Sequence, residues 1–421
     1  MAKIFVGNNP LRGTVEVPSS KSILHRALIM AGFSSRCCRV VGVNLCGDVE
    51  ATIAVLEALG ATVEIHGNAF FVHPISGWVK KKRVEIKNIK SGSTFRFFTG
   101  IFAALGLNAE FSGEKQFLSR LCSKDIEELQ EWGITCNVHG NSIFTSGRLA
   151  GGDYRIASQT TSQFISGLMM ALPLVGCSGR LEISQDQESF PYIRLTAKVM
   201  ACFGVPVQVT DSGVVCIPAA GYQAPAEFVV EKDFSAAAFW LVAAALGADI
   251  TVRLARDSIQ GDSTILLLLQ RLGVVLQASG EEVWCLDRKF CGGQLDGKDV
   301  PDLVPILMVL GALMDGQHLR ICNVDRLRFK ESDRISVMIS NLRAIGAKIR
   351  YVDGVLVVEG QKRLPGGVVK SFGDHRVAMS VCIAALGCEA GVEIDELDCV
   401  RKSYPGFVDD FLNLGGVIRG I

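Results

Sequence analysis

The sequence predicts an α/β protein made of two similar domains, each built from three repeating units. The first observation is a helix-like stretch that ends in glycine and runs into an extended apolar stretch, which occurs six times along the chain. The second is a further helix in each unit that is apolar all round, a pattern typical of buried helices. The third is the length of 421 residues, which allows two or three domains.

The glycines that end the helix-like stretches recur at a nearly constant spacing. A glycine in the left-handed conformation can end a helix before a strand begins. One such match would be ordinary, but six at steps of 69 to 73 residues indicate a structural repeat. Units of this size exceed ordinary solenoid repeats, so we expect two compact domains with a boundary near residues 229–232. The glycines are Gly60, Gly133, Gly204, Gly273, Gly346 and Gly415.

Each unit is also expected to contain strands and a buried helix. Stretches such as Val355–Glu359 have the pattern of strands. The helices before the glycines are amphipathic and should expose one face, whereas the apolar helices should be buried. The stretches predicted to lie in the buried helices are Arg26–Ala31, Phe97–Leu105, Phe164–Leu172, Ala236–Leu246, Val304–Met314 and Val377–Leu386.

The composition argues against several classes of protein. Lys plus Arg (43) equals Asp plus Glu (43), so bulk charge does not favour binding to nucleic acid or to an anionic membrane. Apolar runs such as Val304–Met314 are too short to span a bilayer, and the first residues lack the apolar stretch of a secretory signal. We therefore expect a cytoplasmic protein. Its 14 cysteines and 6 histidines lack the spacing of metal ligands, so we expect no metal and no other cofactor.

Polar residues gather at the N-terminal ends of the predicted buried helices. Helix N-termini with free backbone N–H groups, small residues and a nearby cation bind anions, so six such ends around one cleft would suit a highly anionic ligand. The alternative is that Ser, Thr and Asp only cap the helices. Capping does not explain Arg26, Arg96 and Arg376 beside apolar helices, where an unpaired charge is costly. The residues at these ends are Lys21, Ser22, Arg26, Gly92, Arg96, Thr161, Ser162, Gln163, Asp233, Asp302 and Asp374.

Three further polar clusters each have a functional and a plain interpretation. We expect Lys330 and Arg334 to lie on one helical face with Glu331 nearby, either in a binding site or on a salt-bridged surface helix. Arg120 precedes an amphipathic helix and would be unremarkable by itself. The stretch Lys402–Phe407 follows a predicted strand and could form only a turn.

Together these residues resemble the 5-enolpyruvylshikimate-3-phosphate synthase (EPSP synthase, or 3-phosphoshikimate 1-carboxyvinyltransferase) family. The resemblance spans nearly the whole chain and implies two domains of three βαβαββ units around an interdomain cleft. Residues 14–229 would form the first domain, and residues 1–13 with 230–421 the second. The matching stretches are Pro18–Arg26, Gly92–Arg96, Ser162–Gln163, Pro191–Ile193, Pro301–Asp302, Lys330–Arg334, Asp374–Arg376 and Lys402–Pro405.

The resemblance also implies an activity. Members of the family transfer the enolpyruvyl group of phosphoenolpyruvate to the 5-hydroxyl of shikimate 3-phosphate and release phosphate, a step of chorismate and aromatic amino-acid biosynthesis. They pass through a tetrahedral intermediate, use no metal and are the target of glyphosate. The first domain would be the shikimate-phosphate side, and the second the phosphoenolpyruvate and catalytic side. We expect a monomer whose partners are these two small substrates.

The roles of individual residues follow from the same resemblance. Asp302 resembles the general base for the 5-hydroxyl, and Glu331 with Lys21 resembles the acid side that protonates the methylene carbon. The family usually has Asn where this chain has Lys90 and Arg326. The residues that would bind shikimate 3-phosphate are Lys21, Ser22, Arg26, Thr161, Ser162, Gln163, Ser189, Asp302 and Lys330. Those that would bind phosphoenolpyruvate are Lys21, Gly92, Arg120, Gln163, Arg334, Arg376 and Lys402.

Two other functions stay open on the sequence alone. UDP-N-acetylglucosamine enolpyruvyl transferase shares the fold and the enolpyruvyl donor, but it would carry an acidic Cys on a loop near Arg120. Cys122 is nearby, although its Leu-Cys-Ser context does not resemble that loop. A non-catalytic repeat scaffold would show recurring exposed residues, whereas buried helices with polar N-termini recur here.

Overall fold

The computed structural model describes residues 3–76, 82–113, 123–255 and 257–420. The chain divides into two compact units. We call residues 20–230 the inserted unit, and the chain up to Ser19 together with the chain from Glu231 onward the terminal unit. No helix within the described ranges is both long and apolar enough to cross a membrane.

The strands and helices follow one another in a regular alternation. The strands are β1 (Ile4–Val6), β2 (Arg12–Glu16), β3 (Cys38–Val41), β4 (Thr62–His66), β5 (Ala69–His73), β6 (Arg83–Ile89), β7 (Asn108–Gly113), β8 (Ile134–His139), β9 (Ser142–Gly147), β10 (Gly152–Ile156), β11 (Gly179–Ile183), β12 (Gln208–Val209), β13 (Val214–Ile217), β14 (Glu227–Val229), β15 (Asp249–Arg253), β16 (Val274–Ser279), β17 (Glu282–Arg288), β18 (Gly293–Asp296), β19 (His318–Cys322), β20 (Lys348–Val352), β21 (Val355–Glu359), β22 (Gly367–Val369), β23 (Val392–Ile394) and β24 (Ile418–Arg419). The α-helices are α1 (Lys21–Gly32), α2 (Gly47–Leu59), α3 (Gly92–Ala104), α4 (Ser123–Glu131), α5 (Ser162–Val175), α6 (Phe190–Cys202), α7 (Phe234–Ala245), α8 (Ile265–Arg271), α9 (Val304–Leu313), α10 (Arg334–Ala344), α11 (His375–Ala385) and α12 (Phe407–Asn413). Short 3₁₀ helices span Gly261–Thr264, Asp325–Phe329 and Asp398–Lys402.

These strands form four-stranded sheets of one repeated design. In each sheet one outer strand is parallel to its neighbour, and the other pairs are antiparallel. The inserted unit contains the sheets β14-β3-β5-β4, β6-β7-β9-β8 and β10-β11-β13-β12. The terminal unit contains β2-β15-β17-β16, β18-β19-β21-β20 and β22-β23-β1-β24. With the intervening helices, each sheet corresponds to the βαβαββ unit that the resemblance implied, although β14 joins its sheet from the far end of the inserted unit and β1 joins its sheet from the start of the chain. The α/β fold of repeated units is confirmed.

The terminal unit is interrupted by the inserted unit. Strand β2 opens a repeat by pairing in parallel with β15, although the whole inserted unit lies between them in the chain. Strand β1 completes the last repeat by pairing with β23 and β24. The chain therefore passes into the inserted unit at Ser20, six residues later than the expected start at residue 14, because β2 belongs to the sheet of β15.

The glycine and burial patterns were predicted correctly. All six repeat glycines have positive φ, between 79° and 105°, which is the left-handed conformation expected at a helix end. The six apolar helices α1, α3, α5, α7, α9 and α11 are buried along almost their whole length. Their N-terminal ends carry many of the polar residues of the candidate site.

Two of these helices approach each other closely in the inserted unit. A Cβ added to Gly167 of α5 would lie 2.5 Å from the carbonyl oxygen of Arg96 on α3, and one added to Gly100 of α3 would lie 3.1 Å from the carbonyl oxygen of Gly167. Glycine is needed at such a backbone contact because any side chain would separate the helices. The contact fixes the N-terminus of α3 relative to that of α5.

Candidate active site

Arg26 is a buried cation of the inserted unit, with only 2% of its surface exposed. Its guanidinium donates to Thr196 Oγ1 at 2.7 Å, to the Ser22 carbonyl at 2.7 Å and to Ser166 Oγ at 3.1 Å. The Phe97 ring centroid lies 5.0 Å from it. Burial lowers the pKa of Arg26 to about 10, so the side chain stays charged at neutral pH. Since these acceptors are neutral, they orient the charge without cancelling it.

Lys21 opens α1 and pairs with an acid that the sequence did not single out. Its Nζ lies 2.8 Å from Oδ2 of Asp48, in the first turn of α2, and both side chains are mostly buried. An acid in the first turn of a helix usually serves the helix dipole, so the local sequence gives no sign of this pairing.

The N-termini of α3 and α5 are tied together by side chains. Gly92 is the buried first residue of α3. One turn later, Arg96 donates from Nη1 to Gln163 Oε1 at 3.0 Å, and Gln163 Nε2 donates to Ser93 Oγ at 2.9 Å. The guanidinium of Arg96 lies 5.6 Å from the Phe164 ring centroid. These contacts bring two of the predicted anion-binding helix ends together.

The loops that precede α5 and α6 are held by local hydrogen bonds. Thr161 caps α5 and is followed by the buried Ser162. Ser189, just before α6, has a φ of 60°, a strained conformation for a residue with a side chain and one that often marks functional sites. Gln187 donates to the Thr160 carbonyl at 2.9 Å and so links the two loops.

Two residues that the sequence analysis considered for the site come before α4 in the chain. Arg120 and Cys122 lie outside the described residues, so the predicted phosphoenolpyruvate contact and the thiol alternative stay predictions. Within the described part of α4, Glu128 is buried and accepts a hydrogen bond from the Ala157 N–H at 3.3 Å. Burial raises the pKa of Glu128. This side chain anchors the loop that leads to α5.

Arg334 is the centre of an ion-pair network in the terminal unit. Its side chain is 1% exposed and meets three carboxylates. Nε lies 2.8 Å from Asp374 Oδ2, Nη1 lies 2.8 Å from Asp302 Oδ1, and Nη2 lies 2.7 Å from Glu331 Oε2. Burial alone would lower the pKa of Arg334, but the three carboxylates raise it above its already high value.

Asp302 uses its two oxygens to contact different cations. Oδ1 lies 2.8 Å from Arg334 Nη1, and Oδ2 lies 3.2 Å from Arg376 Nη2. The Nζ of Lys330 is 3.9 Å from Oδ1. Burial alone would raise the pKa of Asp302, but the three cations lower it well below its usual value. The carboxylate is therefore ionised at neutral pH.

Two of the three acids that precede the buried helices of the terminal unit cap those helices, and one of the two, Asp374, also pairs with Arg334. Asp233 accepts a hydrogen bond from the Ala236 N–H, and Asp374 accepts one from the Arg376 N–H. Asp302 does not cap α9, because the N-cap residue is Leu303 and no side chain caps that helix. The carboxylate of Asp302 is instead committed to the ion-pair network.

The prediction that Lys330 and Arg334 share a helical face is wrong. Helix α10 begins only at Arg334, with Asp333 as its N-cap, and Lys330 has extended backbone after the preceding 3₁₀ helix. Both cations nevertheless reach the same oxygen of Asp302. The carboxylate therefore brings together two residues that a helical periodicity would not have aligned.

Lys402 joins the network through Glu331. Its Nζ lies 3.3 Å from Glu331 Oε1, at the end of a 3₁₀ helix. Two residues later the buried Tyr404 donates to Asp410 Oδ2 at 2.6 Å and accepts a hydrogen bond from Trp240 Nε1 at 3.2 Å. The stretch that follows Lys402 is thus anchored in the core of the terminal unit. A simple surface turn, the alternative that the sequence left open, would not need this anchoring.

Asp262 is a buried carboxyl of this network that the sequence did not reveal. It accepts a hydrogen bond from Ser235 Oγ, and the Ser235 carbonyl accepts one from Arg376 Nη1 at 3.4 Å. Burial, reinforced by the charge of Asp302, raises the pKa of Asp262 to about 7. Its signal in the sequence is only a Gln-Gly-Asp stretch, which is common in loops and here opens a 3₁₀ helix.

The described site residues therefore form two sets. The set of the inserted unit presents helix N-termini with Arg26, Arg96 and Lys21, the last paired with Asp48. That of the terminal unit presents guanidinium and ammonium groups paired with several carboxylates. Guanidinium groups suit the oxygens of phosphates and carboxylates because two parallel hydrogen bonds can form. An ionised carboxylate among such cations can accept a proton from a bound hydroxyl. This combination suits group transfer between anionic substrates.

Comparison with known proteins identifies the family that the sequence motifs resemble, over nearly the whole chain. Residues 6–411 match the model of the family described as EPSP synthase (3-phosphoshikimate 1-carboxyvinyltransferase). A 3-phosphoshikimate 1-carboxyvinyltransferase of Clostridium kluyveri is 36% identical over 420 residues, covering 98% of each chain. One of Clostridium perfringens is 34% identical over 424 residues, covering 100% of each chain.

A solved structure agrees at the level of the fold. The EPSP synthase of Acinetobacter baumannii superposes with a TM-score of 0.80 at 22% identity, covering 99% of each chain. The matching family model and the curated relatives together show that this chain belongs to the EPSP synthase (3-phosphoshikimate 1-carboxyvinyltransferase) family.

Proposed function

We propose that this chain transfers the enolpyruvyl group of phosphoenolpyruvate to the 5-hydroxyl of shikimate 3-phosphate, with release of phosphate. The activity is that of the family to which the chain belongs. The observation that carries the proposal furthest is Asp302, an ionised carboxylate held between Arg334 and Arg376. Such a carboxylate can accept the proton of a substrate hydroxyl that lies beside it. The cations around it suit the anionic groups of both substrates.

The inserted unit is proposed to bind shikimate 3-phosphate. Arg26 offers a charge whose acceptors are neutral, and the N-terminus of α5 adds backbone N–H groups. The strained loop at Ser189 supports a binding role at the start of α6. The residues proposed for this substrate are Lys21, Ser22, Arg26, Thr161, Ser162, Gln163 and Ser189, with Asp302 and Lys330 from the terminal unit.

Phosphoenolpyruvate is proposed to bind residues of both units. Gly92 at the start of α3 would offer backbone N–H groups to an anion. Arg334, Arg376 and Lys402 would exchange part of their pairing with carboxylates for the phosphate and carboxylate of the substrate. The full proposed set is Lys21, Gly92, Arg120, Gln163, Arg334, Arg376 and Lys402.

The charges around Asp302 suggest how its basicity depends on substrate. Without substrate, the neighbouring cations lower the pKa of Asp302 and make it a weak base. Anionic substrates that bind Lys330, Arg334 and Arg376 would offset those cations and raise the pKa of the carboxylate. Asp302 would then remove the proton of the 5-hydroxyl as the hydroxyl attacks the enolpyruvyl carbon. Glu331 with Lys21 is proposed to supply the proton to the methylene carbon, which gives the tetrahedral adduct. Loss of a proton from the resulting methyl group and departure of phosphate then restore the enolpyruvyl double bond.

We also propose that the enzyme is a cytoplasmic monomer. The cysteines of the described residues are free thiols, as expected in a reducing compartment. Size-exclusion chromatography with light scattering would test the monomer, and a dimer mass at micromolar concentration would contradict it.

Phosphate release tests the proposed activity. The protein is incubated with phosphoenolpyruvate and shikimate 3-phosphate, with phosphoenolpyruvate and UDP-N-acetylglucosamine, and with phosphoenolpyruvate alone. We expect phosphate release only in the first mixture. Release with the UDP sugar would favour the related transferase, and no release in any mixture would favour a binding scaffold.

A further inference from the structure

A chain of buried hydrogen bonds runs from α1 through α2 to the N-terminus of α3. His25 Nδ1 lies 2.7 Å from Thr52 Oγ1, and Thr52 Oγ1 lies 2.9 Å from Thr94 Oγ1. Thr94 Oγ1 donates to Ser91 Oγ at 2.9 Å. All four residues are at most 1% exposed. The chain ends directly before Gly92, the proposed start of the phosphoenolpyruvate site.

The environment of His25 fixes the direction of these hydrogen bonds. Burial lowers the pKa of His25 to about 3, so the ring is neutral and carries one N–H. Within the described part of the chain, the buried Nε2 has no hydrogen-bond partner. A buried N–H without an acceptor costs more than an unused lone pair, so the proton belongs on Nδ1. The ring then donates to Thr52 and Thr52 donates to Thr94. The Thr94 hydroxyl donates to Ser91 Oγ at 2.9 Å, with the Asp48 carbonyl as a longer second acceptor at 3.3 Å.

This chain does more than cap a helix. Capping α3 requires only that Ser91 Oγ accepts the hydrogen bond of the Thr94 N–H, which lies at 3.2 Å. The extra side-chain contacts connect that turn sideways to two other helices. Ser93, two residues after Ser91, holds Gln163. The position of the turn therefore affects the backbone at Gly92 and the contact to α5.

We propose that His25, Thr52 and Thr94 are positioning residues that hold the first turn of α3 and thereby set the affinity for phosphoenolpyruvate and for glyphosate. The inference rests on the proposed function, because it assumes that Gly92 contacts phosphoenolpyruvate. Affinity for shikimate 3-phosphate depends chiefly on other helix ends and should change little.

The test compares two hydroxyl deletions at fully buried threonines. Thr52→Val removes the middle of the chain while keeping the side-chain shape, and Thr52→Ser restores the hydroxyl. The matched control is Thr99→Val, since Thr99 is buried in α3 and, among the residues that the structure describes, its hydroxyl bonds only to the Phe95 carbonyl of its own helix, at 2.8 Å. We expect Thr52→Val to raise the KM for phosphoenolpyruvate and the inhibition constant of glyphosate about three- to tenfold. The KM for shikimate 3-phosphate should stay within about twofold, and Thr52→Ser and Thr99→Val should resemble wild type.

Hydrogen exchange of the substrate-free protein provides a readout that does not need activity. The Thr94 N–H bonds to Ser91 Oγ and the Phe95 N–H bonds to the Ser91 carbonyl, so both amides report on the first turn. Thr52→Val should accelerate their exchange more than that of amides in the last turn of α3, whereas Thr99→Val should not.

The outcomes separate this inference from the proposed function. If wild type does not turn over the two substrates, the proposed function fails and the exchange result alone decides the positioning role. If wild type is active, equal increases in both KM values, unchanged KM values or failure of Thr52→Ser to restore wild-type behaviour would overturn the inference. Unchanged exchange at Thr94 and Phe95 would overturn it in either case.

Discussion

Arg334 illustrates what a buried charge needs in order to be tolerated. An ion taken out of water loses its hydration, and only close partners with good geometry compensate. Arg334 has three carboxylates within 2.8 Å of its nitrogens. The sequence indicated a functional cation here with Glu331 nearby, but its other two partners, Asp302 and Asp374, come from separate stretches. Because these carboxylates share one cation, a substitution at any of them also changes the ion pairing of Arg334.

Asp302→Asn should reduce turnover by about two to four orders of magnitude, because it removes the proposed base. It should also lower stability, since Arg334 and Arg376 would each lose a charged partner. The measurements are steady-state kinetics with both substrates and thermal unfolding. Asp296→Asn is the matched control, because Asp296 is an exposed carboxylate of the same unit that, within the described ranges, bonds only to Lys298 N–H and Asn323. Turnover of Asp302→Asn within a few-fold of the control would rule out a role as base.

Asp262→Asn should stabilise the protein at high pH. The folded-state pKa of Asp262 is raised to about 7, above that of an ordinary carboxyl. Between about pH 4 and pH 7 the folded protein holds this proton while the unfolded chain releases it, so the contribution of Asp262 to stability falls as the pH rises. The amide cannot ionise, so the variant loses this penalty.

Urea unfolding at several pH values checks the prediction for Asp262. The variant should be more stable than wild type at pH 8, and the difference should shrink steadily towards pH 5. A difference that is independent of pH would mean that Asp262 does not titrate in this range. The amide can still accept the hydrogen bond of Ser235, so the local contact is kept.

At the scale of elements, helix ends position the site and helix contacts fix those ends. The sequence predicted the buried helices correctly because the apolar pattern is local. It misplaced the start of α10, since the Lys330–Arg334 stretch contains the cap Asp333 and the helix can only begin after it. Capping was also a poor guide at Asp302, where ion pairing with other elements decides the side-chain position.

The contact between α3 and α5 predicts that alanine at Gly167 lowers the stability of the protein more than alanine at Gly100. Gly167→Ala would place Cβ 2.5 Å from a backbone oxygen, so the helices must separate and the free energy of unfolding should fall by about 1–3 kcal/mol. Gly100→Ala would place Cβ at 3.1 Å, and the higher helix propensity of alanine, about 1 kcal/mol, should offset much of the cost. Denaturant unfolding of both variants checks the order. A Gly167→Ala protein as stable as Gly100→Ala would contradict the close contact.

At the scale of the whole molecule, the interruption of one unit by the other has consequences for folding. Every strand of the three sheets in the inserted unit comes from residues 38–229, so this unit contains its complete set. The terminal unit needs β1 inside one sheet and β2 at the edge of another, and both lie before the insertion. The two units therefore differ in what a continuous fragment can contain.

A fragment of residues 20–230 should fold cooperatively, whereas a fragment of residues 231–421 should not. The second fragment lacks the strand between β23 and β24 and leaves their edges unpaired. Thermal unfolding followed by circular dichroism tests both. As a control, residues 231–421 can be joined by a short turn to residues 1–19, because β24 and β1 are antiparallel neighbours with Phe5 opposite Arg419. Cooperative unfolding of 231–421 alone would contradict the prediction.

The sequence by itself determined the repeat, the buried helices and the family. Each of these depends on patterns within one element or on motifs that can be read along the chain. Helix-ending glycines and apolar helices are such patterns, because backbone conformation at a glycine and burial of an apolar face are local preferences. The six glycines therefore mark the six units in the sequence alone.

Only the tertiary structure decided which charges meet and where the chain passes from one unit to the other. Lys21 and Asp48 are 27 residues apart, and Arg26 and Thr196 are 170 apart. Nothing in the pattern around one partner specifies the other, since a buried cation can donate to any well-placed oxygen. Asp262 acquires its raised pKa from burial and from Asp302, which belongs to a different element. Strand β2 joins β15 across the whole inserted unit because pairing depends on neighbours in space and not on neighbours in the chain.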